Sequence, residues 1–208
     1  MQDKLQYISQ GNTSVEQLKN IQHALENGCK WIQLRWKNVS EEEFMPVAMR
    51  VKELCKQHGA TFIINDYVEW AKTIDADGIH LGLDDTRIAE ARKILGEHKI
   101  IGGTANTFQD VLQRIDEQCD YIGLGPFRFT STKDNLSPVL GLEGYTSISK
   151  QLQVAEKQAK IYAIGGIRKE DISSILETGI YGIAISAALT NQTQTAAVLE
   201  EISSKFSI

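Results

Sequence analysis

Short apolar runs alternate with longer amphipathic segments along the whole chain, and the alternation occurs eight times. Each short run is rich in β-branched residues, as is typical of a buried strand, and each longer segment has the period of an amphipathic helix. We therefore predict strands at Leu5–Ile8, Trp31–Trp36, Thr61–Asn65, Gly78–Leu81, Ile100–Gly103, Tyr121–Leu124, Ile161–Ile164 and Gly182–Ser186. Eight strand-helix units in about 200 residues predict an α/β fold, the (β/α)8 barrel.

Local signals mark where several predicted helices begin and end. Thr13 with Glu16, and Ser40 with Glu43, have the spacing of a capping box, in which a hydroxyl and a carboxylate satisfy backbone N–H groups at a helix start. Glycines follow four helical segments and precede strands, as expected of the residue that most easily takes the left-handed conformation at a helix end. They are Gly28, Gly59, Gly96 and Gly179.

Composition and charge narrow the class of protein. The 208 residues are 42% apolar and 24% charged, with no linker or low-complexity segment, so one domain over residues 1–208 is expected. A net charge of −5 without a basic patch argues against nucleic acid or a membrane as partner. Without a leader-like or membrane-spanning apolar run, we expect a cytoplasmic protein. Cys29, Cys55 and Cys119 lack metal-ligand spacing and are expected to be reduced core thiols.

Polar side chains lie on one face of the predicted second strand. The two-residue period places Gln33, Arg35 and Lys37 together, facing the interior or the mouth of the barrel. Unpaired cations are costly in such a place, so they should meet an anion. An anionic ligand such as phosphate is the favoured interpretation, and a carboxylate of the barrel is the alternative.

Carboxylates follow the third and fourth predicted strands, whose ends are neighbours in a parallel barrel. Asn65 and Asp66 end the third strand, and Asp84 and Asp85 follow the fourth. Mg²⁺ commonly takes one or two carboxylates with water and phosphate oxygens, so this edge predicts a magnesium site. Helix capping by Asp66, and helix-dipole interactions of the other two, are the alternatives. His80 is expected to be a hydrogen-bonded barrel histidine rather than a catalytic base.

Two glycine-containing connections could bind phosphate. The segment from Pro126 to Gly144 is longer than a usual βα loop and carries Thr130, Thr132 and Lys133, which could close over a polyphosphate or simply form a solvated loop. Gly165 and Gly166 follow the predicted strand seven and Ser186 ends the predicted strand eight, where barrels of this kind often bind phosphate through backbone N–H groups. Glycines needed only for packing are the alternative.

Taken in order, these segments resemble the thiamine phosphate synthase (thiamine-phosphate pyrophosphorylase) family. The matching segments are residues 33–37 (QLRWK), 64–66 (IND), 76–82 with Asp85, 120–126 (DYIGLGP), 130–133 (TSTK), 163–167 (AIGGI) and 182–187. The resemblance implies an Mg²⁺-dependent transferase with two small-molecule substrates. It joins 4-amino-5-hydroxymethyl-2-methylpyrimidine diphosphate to 4-methyl-5-(2-phosphoethyl)thiazole, which gives thiamine phosphate and pyrophosphate. Diphosphate would leave first, and the thiazole nitrogen would capture the pyrimidine-methyl cation. A homodimer is expected from the family alone.

The resemblance also assigns roles to positions of this chain. Asp66 and Asp85 would hold Mg²⁺. The pyrimidine diphosphate would be bound by Gln33, Arg35, Lys37, Asn65, Thr104 and Lys133, and the thiazole phosphate by Thr130, Thr132, Gly166, Ile185 and Ser186. Of these, Lys133, Arg35 and Thr104 would act in catalysis. The family commonly has serine at Thr104 and glutamine at Leu83; Thr104 keeps the hydroxyl, whereas Leu83 offers the pyrimidine nothing polar.

Two other functions fit parts of the same pattern. Thiazole tautomerase, an isomerase on the same barrel, resembles the chain in its glycine-rich C-terminal strands. A non-catalytic phosphate-binding barrel would be supported only by Leu83 and Thr104. The presence of Asn65, Asp66 and Asp85 together with Lys133 favours the synthase, because a tautomerase needs no metal or diphosphate site.

Overall fold

Eight parallel strands close into a barrel in which each strand pairs with the next along the chain and the eighth pairs with the first. The computed structural model describes residues 4–129, 138–191 and 193–206. The strands are β1 (Leu5–Ile8), β2 (Trp31–Leu34), β3 (Thr61–Asn65), β4 (Gly78–Leu81), β5 (Ile100–Ala105), β6 (Tyr121–Leu124), β7 (Ile161–Ile164) and β8 (Gly182–Ile185). The predicted (β/α)8 barrel is confirmed.

Helices follow the strands and cover the outside of the barrel. They are α1 (Ser14–Glu26), α2 (Glu41–His58), α3 (Val68–Ile74), α4 (Ile88–Leu95), α5 (Phe108–Asp116), α6 (Gly141–Val154), α7 (Ile172–Glu177), α8 (Ala187–Thr190) and α9 (Thr195–Phe206). A short 3-10 helix (Lys169–Asp171) precedes α7. No helix among the residues described has the length and apolar character needed to cross a membrane.

The predicted helix boundaries are confirmed where sequence signals marked them. Thr13 and Glu16 form a capping box at α1, and the Ser40 hydroxyl accepts the N–H of Glu43 at α2. The four glycines predicted to end helices all have positive φ, between 60° and 98°. All three cysteines are free thiols.

Four predicted boundaries are wrong by a few residues. β2 ends at Leu34 rather than Trp36, because the chain leaves the sheet at the mouth, where the N–H of Arg35 donates to the Ser9 hydroxyl at 2.9 Å. β5 continues to Ala105, whose carbonyl accepts the N–H of Gly125. β8 ends at Ile185, one residue early. α6 begins at Gly141, so the long connection ends before Gly144.

The inside of the barrel is filled by rings that occupy space left by glycines. The Trp31 ring packs edge-to-face on Tyr121 and Tyr162, with ring centres 4.8 and 5.0 Å away. A Cβ on Gly102 would lie 2.1 Å from the Tyr121 ring, and one on Gly182 would lie 2.6 Å from the Tyr162 ring. The absence of these two side chains therefore allows the tyrosines to fill the interior, a packed core rather than a pore.

Candidate active site

The acidic residues predicted from the sequence meet at the carboxyl ends of β3 and β4. Asp66 directly follows β3 in the left-handed conformation, with φ of 68°. Its carboxyl group interacts with that of Asp85, and its Oδ2 lies 3.4 Å from Nζ of Lys37. The capping alternative is wrong, because α3 is preceded by Tyr67 and has no side-chain cap. Lys37 thus has a barrel carboxylate as partner, the alternative considered for it.

The two carboxyl groups make this corner electrostatically unfavourable when it holds no cation. Burial, then the hydrogen bond and negative charge of Asp85, raise the pKa of Asp66 to about 6, against the opposing effect of Lys37. A divalent cation between the carboxylates would remove this repulsion. Among the described residues no cluster of three or more His, Cys, Asp or Glu could hold a metal. Two carboxylates with water and substrate phosphate oxygens suit Mg²⁺, so the donor set fits that ion.

Backbone contacts hold Asp85 in its place. Its Oδ2 accepts the N–H of Gly82 at 2.6 Å, and a Cβ on Gly82 would lie 2.8 Å from the same oxygen. The carbonyl of Gly82 in turn accepts Nη2 of Arg114 at 2.9 Å. The same guanidinium donates from Nε to the carbonyl of Thr104 at 3.0 Å and from Nη1 to Glu117 at 2.6 Å. Arg114 therefore ties together the ends of β4 and β5.

Sequence reasoning missed Arg114, although a signal for it exists. The residue lies three positions after the buried Val111 of α5, on the apolar face of that helix, and is itself buried. A charged residue on a core-facing position needs partners. Gly103 provides the space, since a Cβ there would lie 2.7 Å from Cδ of Arg114. An arginine on a buried helix face after a Gly-Gly strand was the available signal.

A second region lies at the ends of β7 and β8, where a cavity of about 160 Å³ opens. Of the predicted residues, Gly166, Ile185, Ser186 and Arg35 line it. Gly165 and Gly166 both have positive φ. Arg128 holds this loop, because it donates to the carbonyl of Gly166 at 2.6 Å while its guanidinium pairs with Asp171. The Ser186 hydroxyl donates to the carbonyl of Ile8 at 2.7 Å, so its backbone remains the part suited to an anion.

Arg35 joins this cavity to a polar one. The polar cavity is lined by Lys37, Asn12, Lys19 and other residues of the β1 and β2 ends, and Arg35 and Gln10 line both. Arg35 is therefore the one predicted cation that faces both regions within the described chain.

Of the remaining predicted site residues, some are buried in the barrel and the others lie outside the residues that the structure describes. Gln33, Asn65 and Thr104 are all at least 94% buried and lie on β2, β3 and β5, with Asn65 in register with His80. His80 bonds to Tyr121 and Thr104, as expected of a barrel histidine. The predicted residues Thr130, Thr132 and Lys133 lie outside the described residues.

Comparisons with known proteins show the family of this chain. A sequence profile for thiamine monophosphate synthase matches residues 5–189. The chain is 57% identical over 205 residues to thiamine-phosphate synthase of Flavobacterium psychrophilum, covering 99% of this chain and 100% of that one. It is 54% identical over 185 residues to the Bacteroides fragilis protein of the same name, covering 89% and 91%.

A solved structure agrees as well. Thiamine phosphate pyrophosphorylase from Pyrococcus furiosus superposes with a TM-score of 0.85 at 29% identity, over 97% of this chain and 96% of that one. The profile, the relatives and the solved structure each match nearly the whole length of this chain. This chain belongs to the thiamine monophosphate synthase family.

Proposed function

We propose that this protein, a transferase by its family, joins 4-amino-5-hydroxymethyl-2-methylpyrimidine diphosphate to 4-methyl-5-(2-phosphoethyl)thiazole. One observation carries the proposal beyond the family: Arg35 lines both the polar cavity beside Lys37 and the glycine-lined cavity at β7 and β8. Two anionic substrates bound on either side of one cation would meet there. An enzyme that acts on a single phosphate would not need both regions.

The two substrates divide between the two regions. The diphosphate would lie against Lys37, Arg35 and the acidic pair, and Asp66 and Asp85 would hold Mg²⁺. The thiazole phosphate would lie against the backbone of Gly166 and Ser186, where φ-positive glycines let N–H groups approach an anion. Lys133, Thr130 and Thr132 are proposed to complete these sites as the family resemblance implies.

The chemistry requires positioned charge rather than a nucleophile of the protein. The bond between the pyrimidine methylene carbon and the diphosphate oxygen breaks, and its electron pair leaves with pyrophosphate. The thiazole nitrogen then gives its lone pair to that carbon. Bound Mg²⁺ would supply charge stabilisation on the departing diphosphate. Arg35 and Lys37 would add to that stabilisation, because fixed cations act where negative charge develops.

The tautomerase alternative finds no support at His80. A tautomerase needs a proton-transfer group over the thiazole. His80 is 93% buried, and both of its ring nitrogens are hydrogen-bonded to side chains inside the barrel. The expected homodimer rests on the family resemblance and the expected cytoplasmic location on the sequence pattern, and both remain proposals.

The test is synthesis of thiamine phosphate from both heterocycle phosphates by purified protein, with Mg²⁺ and again with a chelator. We expect product only with Mg²⁺. Product that survives chelation would overturn the metal proposal. No product with either, together with retained binding of the thiazole phosphate, would overturn the synthase proposal in favour of a tautomerase or a phosphate-binding barrel.

A further inference from the structure

A chain of buried polar side chains crosses the inside of the barrel. Nε2 of Gln33 donates to Oε1 of Gln6 at 3.0 Å, and Nε2 of Gln6 donates to the Tyr121 hydroxyl at 3.2 Å. The Tyr121 hydroxyl lies 3.0 Å from Nδ1 of His80, and Nε2 of His80 lies 3.0 Å from Oγ1 of Thr104. The proposed reaction gives no role to Gln6, Tyr121 or His80.

The hydrogen bonds in this series of side chains all run in one direction, from Gln6 toward Thr104. An amide nitrogen donates, so the Tyr121 oxygen accepts from Gln6 and has a single hydrogen left to give. Burial raises the pKa of Tyr121, so the phenol keeps that hydrogen. It is donated to Nδ1 of His80. A neutral imidazole that accepts at Nδ1 carries its hydrogen on Nε2, which then donates to Thr104.

The direction of these hydrogen bonds determines whether the Thr104 hydroxyl donates or accepts toward a ligand. Because its oxygen accepts from His80, its own hydrogen is left for another acceptor. Thr104 is the second-last residue of β5, at the carboxyl end of the strand and therefore toward the mouth.

The positions of the two rings are fixed by neighbouring strands. A Cβ on Gly123 would lie 3.1 Å from Cε1 of His80, and one on Gly102 would lie 2.6 Å from the Tyr121 oxygen. The rings stand 5.4 Å apart between these glycines. The two rings therefore lie close to the backbone of β5 and β6, with His80 between the side chains of Tyr121 and Thr104.

From this geometry we infer that His80 is a positioning residue, fixed as the Nε2–H tautomer by Tyr121 and Gln6, which makes the Thr104 hydroxyl a hydrogen-bond donor to the pyrimidine substrate. The inference rests on the proposed function for the identity of the substrate. A pyrimidine ring nitrogen carries a lone pair and no hydrogen, so a hydroxyl obliged to donate would recognise it. A group with its own hydrogen at that place would be rejected.

The tautomer can be measured without any activity. Protein labelled with ¹⁵N-histidine has four histidines, and His80→Gln identifies the signal of His80 by its loss. We expect that signal to show Nε2 carrying the hydrogen and Nδ1 accepting, at neutral pH. Tyr121→Phe removes the donor to Nδ1, and we expect the Nδ1–H form to appear. An Nδ1–H or doubly protonated ring in the unaltered protein would overturn the inference, whether or not the protein makes thiamine phosphate.

Kinetics separate positioning from simple support of the fold. Thr104→Val keeps the shape and removes the hydroxyl, and we expect it to raise the KM for the pyrimidine diphosphate about tenfold while leaving the KM for the thiazole phosphate unchanged. His80→Leu should act in the same direction. His80→Gln should recover most of that loss, because its amide oxygen can accept from Tyr121 and its amide nitrogen can donate to Thr104.

A matched control and a contrary outcome complete the test. His98→Gln changes an exposed histidine and should leave both KM values unaltered. Equal losses in His80→Leu and His80→Gln, or equal rises in both KM values, would overturn the positioning role. Absence of thiamine phosphate synthesis by the unaltered protein would instead overturn the proposed function, whereas the tautomer of His80 could still be measured.

Discussion

The two halves of the barrel mouth are built for anions in different ways. At β2, β3 and β4 the groups are charged side chains, and Asp66 interacts with both Asp85 and Lys37. At β7 and β8 the groups are mainly backbone, presented by Gly165 and Gly166. Side-chain charges attract a metal and the developing charge of a leaving group, but repel each other when it is absent. Backbone N–H groups carry no such cost, which suits a phosphate that stays unchanged in the reaction.

The largest effect on turnover is expected when the acidic half loses one carboxylate. We expect Asp85→Ala to lower turnover about 10²- to 10³-fold with the fold intact, since losing one preorganised group typically costs this much. The measurement is turnover over a series of Mg²⁺ concentrations. Asp84→Ala is the matched control, because Asp84 is the adjacent exposed carboxylate. Near-normal turnover of Asp85→Ala at matched Mg²⁺ would overturn the metal assignment.

A second prediction concerns what holds the acidic half in place. Arg114→Met should lower the free energy of unfolding by about 2–3 kcal/mol, because the buried carbonyl of Thr104 and the partly buried carbonyl of Gly82 lose their donor. Denaturant unfolding measures it. Arg50→Met is the control, since Arg50 forms the same i,i+3 pair with Glu53 on the surface and should cost about 0.5 kcal/mol or less. If Arg114→Met and Arg50→Met lowered the free energy of unfolding equally, the backbone contacts of Arg114 would contribute no stability.

The glycine half should respond to added side-chain volume. Gly166→Ala would place a Cβ 3.0 Å from Cβ of Arg128 at a φ of 71°, and we expect the KM for the thiazole phosphate to rise about tenfold. Gly96→Ala has a similar positive φ of 93° with open space around it, so it should lose stability only. Steady-state kinetics with each substrate varied distinguishes them. A rise confined to the pyrimidine diphosphate would mean that the two halves are assigned in reverse.

The smallest expected effect concerns the ion pair that supports the glycine loop. Burial alone would raise the pKa of Asp171, but hydrogen bonds from Arg128 and the Arg168 N–H outweigh burial and hold that pKa below its usual value. The folded protein therefore binds fewer protons at Asp171 than the unfolded chain. Its stabilisation is present above the ordinary pKa of about 3.9 and is lost as the pH falls through the lowered value.

Asp171→Asn should therefore cost at most about 1 kcal/mol at neutral pH, because Arg128 is partly exposed, and the difference should shrink toward about pH 3. Urea unfolding midpoints across this range measure it. Glu170→Gln serves as the control at an exposed neighbouring carboxylate. A difference that stays constant with pH would show that charge at Asp171 contributes nothing.

Much of this architecture is readable from local pattern. The number and order of the strands, the capping residues Thr13 and Ser40 and the four helix-ending glycines follow from periodicity and backbone preference within a few residues. The ordered segments that resemble the family are equally local. The strand ends at Leu34 and Ala105 were misjudged, because a strand stops where its partners stop, and partners are not adjacent in sequence.

The sequence by itself determined the barrel class, the family and the residue types available at the mouth. Only the tertiary structure decided which of them meet. Barrel closure joins β1 to β8, and Arg35 lines the same cavity as Ile185 and Ser186. The hydrogen bond from Gln6 to Tyr121 spans 115 positions, and Arg114 reaches Gly82 across 32. Periodicity predicts the face of the strand or helix on which a side chain lies. Strand register and barrel closure determine which side chains it contacts, and these are set only in the folded protein.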